Sequence, residues 1–337
     1  MAARSPLRPG DFAPVMATGI VALTARQHSA GGLAGALSVV AVVTYLLTAA
    51  VSARQALRRP PFGAPDLGST FLLFSFVAAT EVLASEPLLR DVGGLDVALW
   101  ILGLGAFALL AARIARLARS PAAGLVLRAR GSWLLAVVAA ESLVIVAAEL
   151  RRRPDLHPPL ALALALWILG VAAYAAIVLL IATRAGRRGL SADELTPDYW
   201  VVMGAMAIAA VAATELAVDA RGGLHGAMRA LAIAAWAVAT CWLPLIAAAD
   251  ALRVRGRGLR YEPERWAMVF PLGMYSVATD RLDTRLGVSH LAGLSTAFFV
   301  IALVAWGAVA AATLAPAVGR LPTRRPPRRA SRSSPPR

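Results

Sequence analysis

Apolar residues run along this chain in ten long blocks, each near the roughly 20 residues that a helix needs to cross a hydrocarbon layer. The blocks cover residues 12–27, 33–53, 67–85, 94–117, 131–149, 158–183, 197–218, 227–252, 266–282 and 291–317. Short polar turns rich in Arg, Pro and Gly separate them. Apolar runs of this length predict helices, because buried strands are bounded every four to eight residues or so. The predicted fold class is an all-α polytopic membrane protein of ten transmembrane helices. The first block reads as a span and not as a cleaved leader: it lacks the three-part layout, and Pro14 and Gly19 interrupt it. Pro14 and Pro271 are the predicted kinks, since a proline removes one rung of the helical ladder.

A repeat is superimposed on these blocks. The third carries Val77-Ala78-Ala79-Thr80-Glu81 and the seventh Val211-Ala212-Ala213-Thr214-Glu215. The ninth carries Val277-Ala278-Thr279-Asp280, and the fifth a weaker Val138-Ala139-Ala140-Glu141. Trp133, Trp200 and Trp266 open helices five, seven and nine, at spacings of 67 and 66 residues. That period is one helical hairpin, so ten helices make five hairpins. Odd helices hold the acids, most Thr and Ser, and the special prolines; even helices are plain Ala, Leu, Val and Ile. Acids within spans are costly in lipid and should face protein or water. The simplest arrangement puts an inner ring of five odd helices around a pore and an outer ring of five even helices against lipid.

Composition agrees with the pattern and narrows the class. The hydrophobic set is 59% of residues and the charged set 16%, against about half and a quarter in soluble domains. The mean hydropathy is +0.68. A soluble enzyme and a disordered chain are thereby excluded. A net charge of +15 suggests nucleic acid at first sight, but the apolar blocks leave no soluble basic face, so no nucleic-acid partner is expected. All 34 basic residues are Arg. Placing the N-terminus inside puts sixteen Arg in the internal loops and nine in the external turns, with those of both terminal segments inside as well. The positive-inside rule then sets both termini in the cytoplasm and the protein in the cell (inner) membrane. Arg151-Arg152-Arg153 alone falls on the wrong side. Residues 1–11 form a cytoplasmic N-terminus, 12–318 the transmembrane domain, and 319–337 an Arg/Pro/Ser-rich tail expected to be disordered. Cys241 lies within an apolar block and reads as packing.

Three segments carry a resemblance. Phe12-Ala13-Pro14-Val15-Met16-Ala17-Thr18-Gly19-Ile20 and Trp266-Ala267-Met268-Val269-Phe270-Pro271-Leu272-Gly273-Met274-Tyr275 resemble the first and ninth helices of the tellurite-resistance/dicarboxylate transporter family. Pro197-Asp198-Tyr199-Trp200-Val201-Val202-Met203-Gly204-Ala205-Met206 is similar to its seventh. TehA-like bacterial channels, fungal malic acid transporters and plant slow-type anion channels belong to that family. The resemblance spans roughly residues 8–318. It implies a central five-helix pore, a homotrimer, and a phenylalanine on the ninth helix that plugs the pore. Phe270, just before Pro271, is the best-placed candidate; a kink there would swing its ring toward the axis, as in hydrophobic constrictions that gate by dewetting.

The remaining polar residues set the candidate chemistry. Glu81, Glu215 and Asp280 fall near the outer ends of their helices and Glu141 deeper. The outer three read either as functional carboxylates or as wetted groups paired with Arg90, Arg221 or Arg281. Glu141 reads either as a hydrogen-bonded core carboxyl or as the proton acceptor that coupled uptake of an organic acid would need. No Arg falls in the middle of a block. A small anionic solute would then be held by backbone N–H groups at broken helices, by helix dipoles, and by Thr18, Ser75, Thr80, Ser142 and Ser276, with Met206 and Thr214 beside them. That favours channel-like passage of a C4-dicarboxylate or an inorganic anion over tight capture. His28, His157, His225 and His290 all lie in external turns without metal-ligand spacing, and no catalytic signature or cofactor motif is present, so neither cofactor nor metal is expected. An intramembrane enzyme using Glu141 is the alternative, and the fivefold repeat counts against it.

Overall fold

The computed structural model describes residues 11–58, 66–90, 92–119, 124–153, 156–189, 196–257 and 262–318. The terminal tail from 319 and the first ten residues lie outside these. Every regular element among the described residues is helical. In chain order they are α1 (Ala13–Gln27), α2 (Gly31–Arg58), α3 (Leu67–Leu72), α4 (Phe74–Ala84), α5 (Pro87–Arg90), α6 (Leu95–Ala118) and α7 (Leu125–Arg128). Then follow α8 (Leu135–Arg151), α9 (Leu160–Arg188), α10 (Trp200–Asp219), α11 (Gly223–Arg257), α12 (Trp266–Leu286) and α13 (Ala292–Val318). Single 3₁₀ turns, Gly131–Leu134, Pro197–Tyr199 and Pro263–Arg265, open α8, α10 and α12.

Local chemistry sets several ends. Asp66 caps α3 by accepting from the Ser69 N–H at 3.0 Å. The ladder is interrupted at Leu73, where the Ser75 hydroxyl takes the Leu72 carbonyl at 2.7 Å, and α4 restarts there. Gly287, at φ 65°, ends α12 in the left-handed conformation that glycine adopts without cost. Pro14 sits in the first turn of α1, where its missing N–H has no partner to lose, so it opens the helix and does not kink it. Pro271 does lie inside a helix.

Among the described residues eight helical segments are long and apolar enough to cross a membrane. The two further spans expected from the sequence correspond to α1 and α12. At 15 residues α1 is roughly 22 Å long, short of a full hydrocarbon core. The last turns of α12 carry Asp280, Arg281, Asp283 and Arg285.

Burial separates two classes. The α10 segment is 94% buried within the protein and the α8 segment 83%, whereas the segments of α2, α6, α9, α11 and α13 are between 17% and 33% buried. Packing follows the same division: α1 lies on α4 and α12, α4 on α8, α8 on α10, and α10 on α12. These are the inner helices. Each outer helix packs on the inner helix that precedes it in sequence.

A second set of contacts ties each outer helix to the next inner one. The Tyr45 hydroxyl on α2 is 2.9 Å from Thr80 Oγ1 on α4. Trp100 Nε1 on α6 donates to the Leu143 carbonyl on α8 at 3.2 Å, and Trp167 Nε1 on α9 to the Ala209 carbonyl on α10 at 3.1 Å. Trp236 Nε1 on α11 donates to Thr279 Oγ1 on α12 at 3.0 Å. Trp306 Nε1 on α13 donates to Thr18 Oγ1 on α1, also at 3.0 Å, and so joins the last hairpin to the first. An aromatic with one polar tip suits this position, since its ring is apolar on a poorly buried helix while its N–H or O–H needs a partner.

Candidate functional site

Two small cavities lie among the inner helices. The inner helices all begin at the face that carries both ends of the helical domain, termed here the near face. The near cavity, about 80 Å³, takes Met16 from α1, Ser75 from α4, Leu135 from α8, Val201 from α10 and Phe270 from α12. The far cavity, about 50 Å³, takes Ile20, Glu81, Ser142, Ile208 and Met274 from the same five helices in the same order. Between the two linings each inner helix advances by three to seven residues, roughly 5–10 Å. Phe270 is 3% exposed and stands at the deep end of the near cavity.

The glycine of the Met203-Gly204-Ala205 block meets the proline of the Phe270-Pro271 block. A Cβ on Gly204 would lie 2.8 Å from Pro271 Cγ, closer than carbon atoms approach without strain. The absence of that Cβ lets α10 and α12 close together at the height of Phe270. This is the physical reason for the pairing of the two blocks.

The predicted polar residues divide. Ser75 and Ser142 are on the cavity walls. Ser75 Oγ also accepts from the Phe12 N–H at 3.2 Å. Thr18 and Thr80 are engaged by Trp306 and Tyr45 of outer helices, and Ser276 donates to the Ser295 carbonyl of α13 at 2.8 Å. These three hydroxyls are therefore turned from the axis, because the outer helices present polar tips that need them. Thr214 is fully buried and bonds the Ala210 carbonyl of its own helix at 2.8 Å. Met206 is buried outside both linings.

The four acids also part ways. Glu81 packs against Gly103 of α6, and Glu141 against Gly170 of α9, each within its own hairpin; a Cβ on either glycine would stand about 2 Å from the carboxyl oxygen. Neither carboxyl has a hydrogen-bond partner among the described residues. Glu215 lies between two arginines, Arg281 at 3.0 Å and Arg152 at 2.6 Å. Pairing with Arg281 was one of the two readings of this acid. Asp280 is half-buried at the far end of α12.

The arginine cluster that violated the charge rule has a structural role. Arg151 reaches Asp219 at 3.4 Å, Arg152 reaches both Glu215 and Asp219, and Arg153 reaches Asp96 at 2.6 Å. Arg90 pairs with Glu149 beside them. The cluster is a far-face clasp between the ends of α6, α8, α10 and α12, so pairing offsets its charge.

At the near face two amides at the starts of inner helices, those opening α8 and α1, are occupied by the protein's own acids. Asp198 Oδ2 accepts from the Ser132 N–H at 2.9 Å, and Asp11 Oδ1 from the Ala13 N–H at 3.2 Å. Both acids, with Glu264, line the near cavity. The far cavity has one cation, Arg26, which pairs with Glu86 at 3.3 Å. Burial pushes the Glu86 carboxyl above the usual carboxylate range, partly offset by a hydrogen bond from Ser38 and the charges of Arg26 and Arg90. Nothing local in the sequence singles out Arg26; the fold brings it to the cavity beside Glu86. Cys241, expected in packing, is exposed on α11. Among the described residues no group of three His, Cys, Asp or Glu stands close enough to hold a metal.

Two curated relatives, each described as an uncharacterized membrane protein and from two strains of Mycobacterium tuberculosis, are 34% identical over 140 residues. The match covers 40% of this chain and 71% of theirs. A family model described as voltage-dependent anion channel (SLAC1) matches residues 7–314, nearly the whole of the helical domain. The chain is therefore a multi-pass membrane protein that belongs to the voltage-dependent anion channel family.

Proposed function

We propose that the protein passes small anions, inorganic or C4-dicarboxylate, along the axis of its five inner helices, and that Phe270 is the gate. The observation that carries this reading is the lining of the two cavities: each draws on all five inner helices, and Phe270, which lines the near cavity, lies one helical turn before Met274, which lines the far one. In this reading α1 and α12 cross the membrane with the other eight, giving ten spans. The near face is cytoplasmic, and the protein works as a homotrimer in the inner membrane. Apolar side chains around a narrow gap exclude water, and an ion cannot enter a dry gap without losing its hydration.

The test is Phe270→Ala in liposomes, with chloride and malate flux as readouts. Removal of the ring widens the gap and should raise flux of at least one of these anions; unchanged flux of both would move the gate elsewhere, with Phe74 and Phe76 the next candidates. Proton coupling through Glu141 is the second reading. Its carboxyl packs on Gly170, away from both cavity linings, which favours a simple channel. Glu141→Gln should therefore keep the wild-type pH profile of flux. A flattened profile would restore the coupled carrier.

A further inference from the structure

We propose that Arg26 is an anion-selecting residue at the far mouth of the axis, and that the buried Glu86 carboxylate sets the strength of its attraction by cancelling its charge. The proposal rests on the axis being the anion path. Among the residues lining the far cavity Arg26 is the one cation, and the acids are Glu81 and Glu86. The Glu81 carboxyl is turned to Gly103, which leaves Arg26 and Glu86 as the charged pair at the cavity.

The pair is asymmetric. Arg26 Nη2 lies 3.3 Å from Glu86 Oε2 and 3.3 Å from Ser38 Oγ, and the Ser38 hydroxyl donates to the same carboxylate oxygen at 2.7 Å. The Arg26 side chain is 37% exposed and the Glu86 side chain 4%. A guanidinium has five N–H donors in a rigid fork suited to oxyanions, and a single terminal nitrogen makes the bonds just described. The remaining donors make none of these bonds and are available to a small anion in the cavity that Arg26 lines. Glu86, by contrast, is buried, held by the Ser38 hydroxyl, and cancels the charge of the guanidinium. Loss of the Glu86 charge would expose a full positive charge at the mouth, and attraction of anions would rise.

The other charged groups around Glu86 do not duplicate this role. Arg90 on α5 faces it but is paired with Glu149 of α8. Asp96 on α6 is paired with Arg153. From α2 the facing group is the neutral Ser38. Because burial raises the Glu86 carboxyl, acid on the far side removes its charge at a higher pH than for a free carboxylate, while Arg26 stays charged. Anion conductance should then increase as far-side pH falls.

The experiment uses the full chain in planar bilayers under a potassium chloride gradient, with acid added to either compartment. Arg26→Gln should raise the half-saturating chloride concentration by roughly tenfold, the scale of one charge-assisted hydrogen bond, and lower the chloride-to-potassium permeability ratio. Arg26→Lys should retain most of that ratio. Glu86→Gln should raise conductance at neutral pH and abolish the response to far-side acid. The acid step on the unaltered protein needs no substitution, so a folding defect in a variant leaves the proposal testable. Wild-type half-saturation and permeability in Arg26→Gln would overturn it, as would an intact acid response in Glu86→Gln or none in the unaltered chain. An unaltered protein, and its Phe270→Ala variant, that pass no anion would overturn the pore reading itself.

Discussion

Gly170→Ala tests where the Glu141 carboxyl points, and with it the choice between a channel and a proton-coupled carrier. A Cβ at position 170 would stand 2.2 Å from Glu141 Oε1 and 3.0 Å from its Cδ, where non-bonded heavy atoms prefer about 3.5 Å or more. Glu141 is fully buried, so its carboxyl can retreat only by displacing the side chains packed around it. Overpacking of this kind costs about 1–3 kcal/mol. Alanine also gains up to about 1 kcal/mol over glycine in a helix, so the net loss at position 170 is smaller. The control is Gly186→Ala on the same helix, where the added Cβ meets nothing within 4 Å and only the propensity gain applies. The predicted quantity is the difference between the two variants, about 1–3 kcal/mol, read from unfolding in mild detergent. Glu141→Ala combined with Gly170→Ala should recover much of it, because the obstructing carboxyl is gone. Equal stability of the Gly170 and Gly186 variants would refute the reasoning and return the Glu141 carboxyl to the candidates for the axis.

Two further outcomes follow from the same packing. Trp306→Phe removes the hydrogen bond that joins α13 to α1 and should lower stability by about 1 kcal/mol without altering anion selectivity; a selectivity change would place Thr18 on the anion path after all. In a background with Cys241 replaced by Ala, Ser75→Cys and Ser142→Cys should react with a small aqueous thiol reagent and Thr80→Cys should not, since Thr80 is turned to Tyr45. Equal labelling of all three would contradict the division of polar residues between axis and outer helices.

Much of the architecture is determined by the sequence alone. Long apolar blocks leave helices as the only elements that satisfy their own backbone in lipid, and the hairpin repeat separates acid-bearing from plain helices. The inner position of the odd helices follows from the cost of exposing those acids. Sequence also singles out Phe270 and Pro271, Ser75 and Ser142, because motif and repeat are local signals. The Tyr45, Trp100, Trp167, Trp236 and Trp306 contacts were not legible, because nothing local marks which polar group each tip will meet. Only tertiary structure decided the direction of each side chain. A helix periodicity places Thr18 or Glu141 on a helix, but a pivot of about 100° per residue decides between axis and neighbour, and that angle is set by what the facing helix offers. Trp306 claims Thr18, and Gly170 makes room for Glu141. Likewise the three arginines after α8 look misplaced when counted as free charges, and become intelligible once Asp96, Glu215 and Asp219 stand opposite them. The partners are 57 to 68 residues away in sequence. Charge counting along a chain sees each residue singly, whereas the field of a paired ion depends on a partner that only the fold brings near.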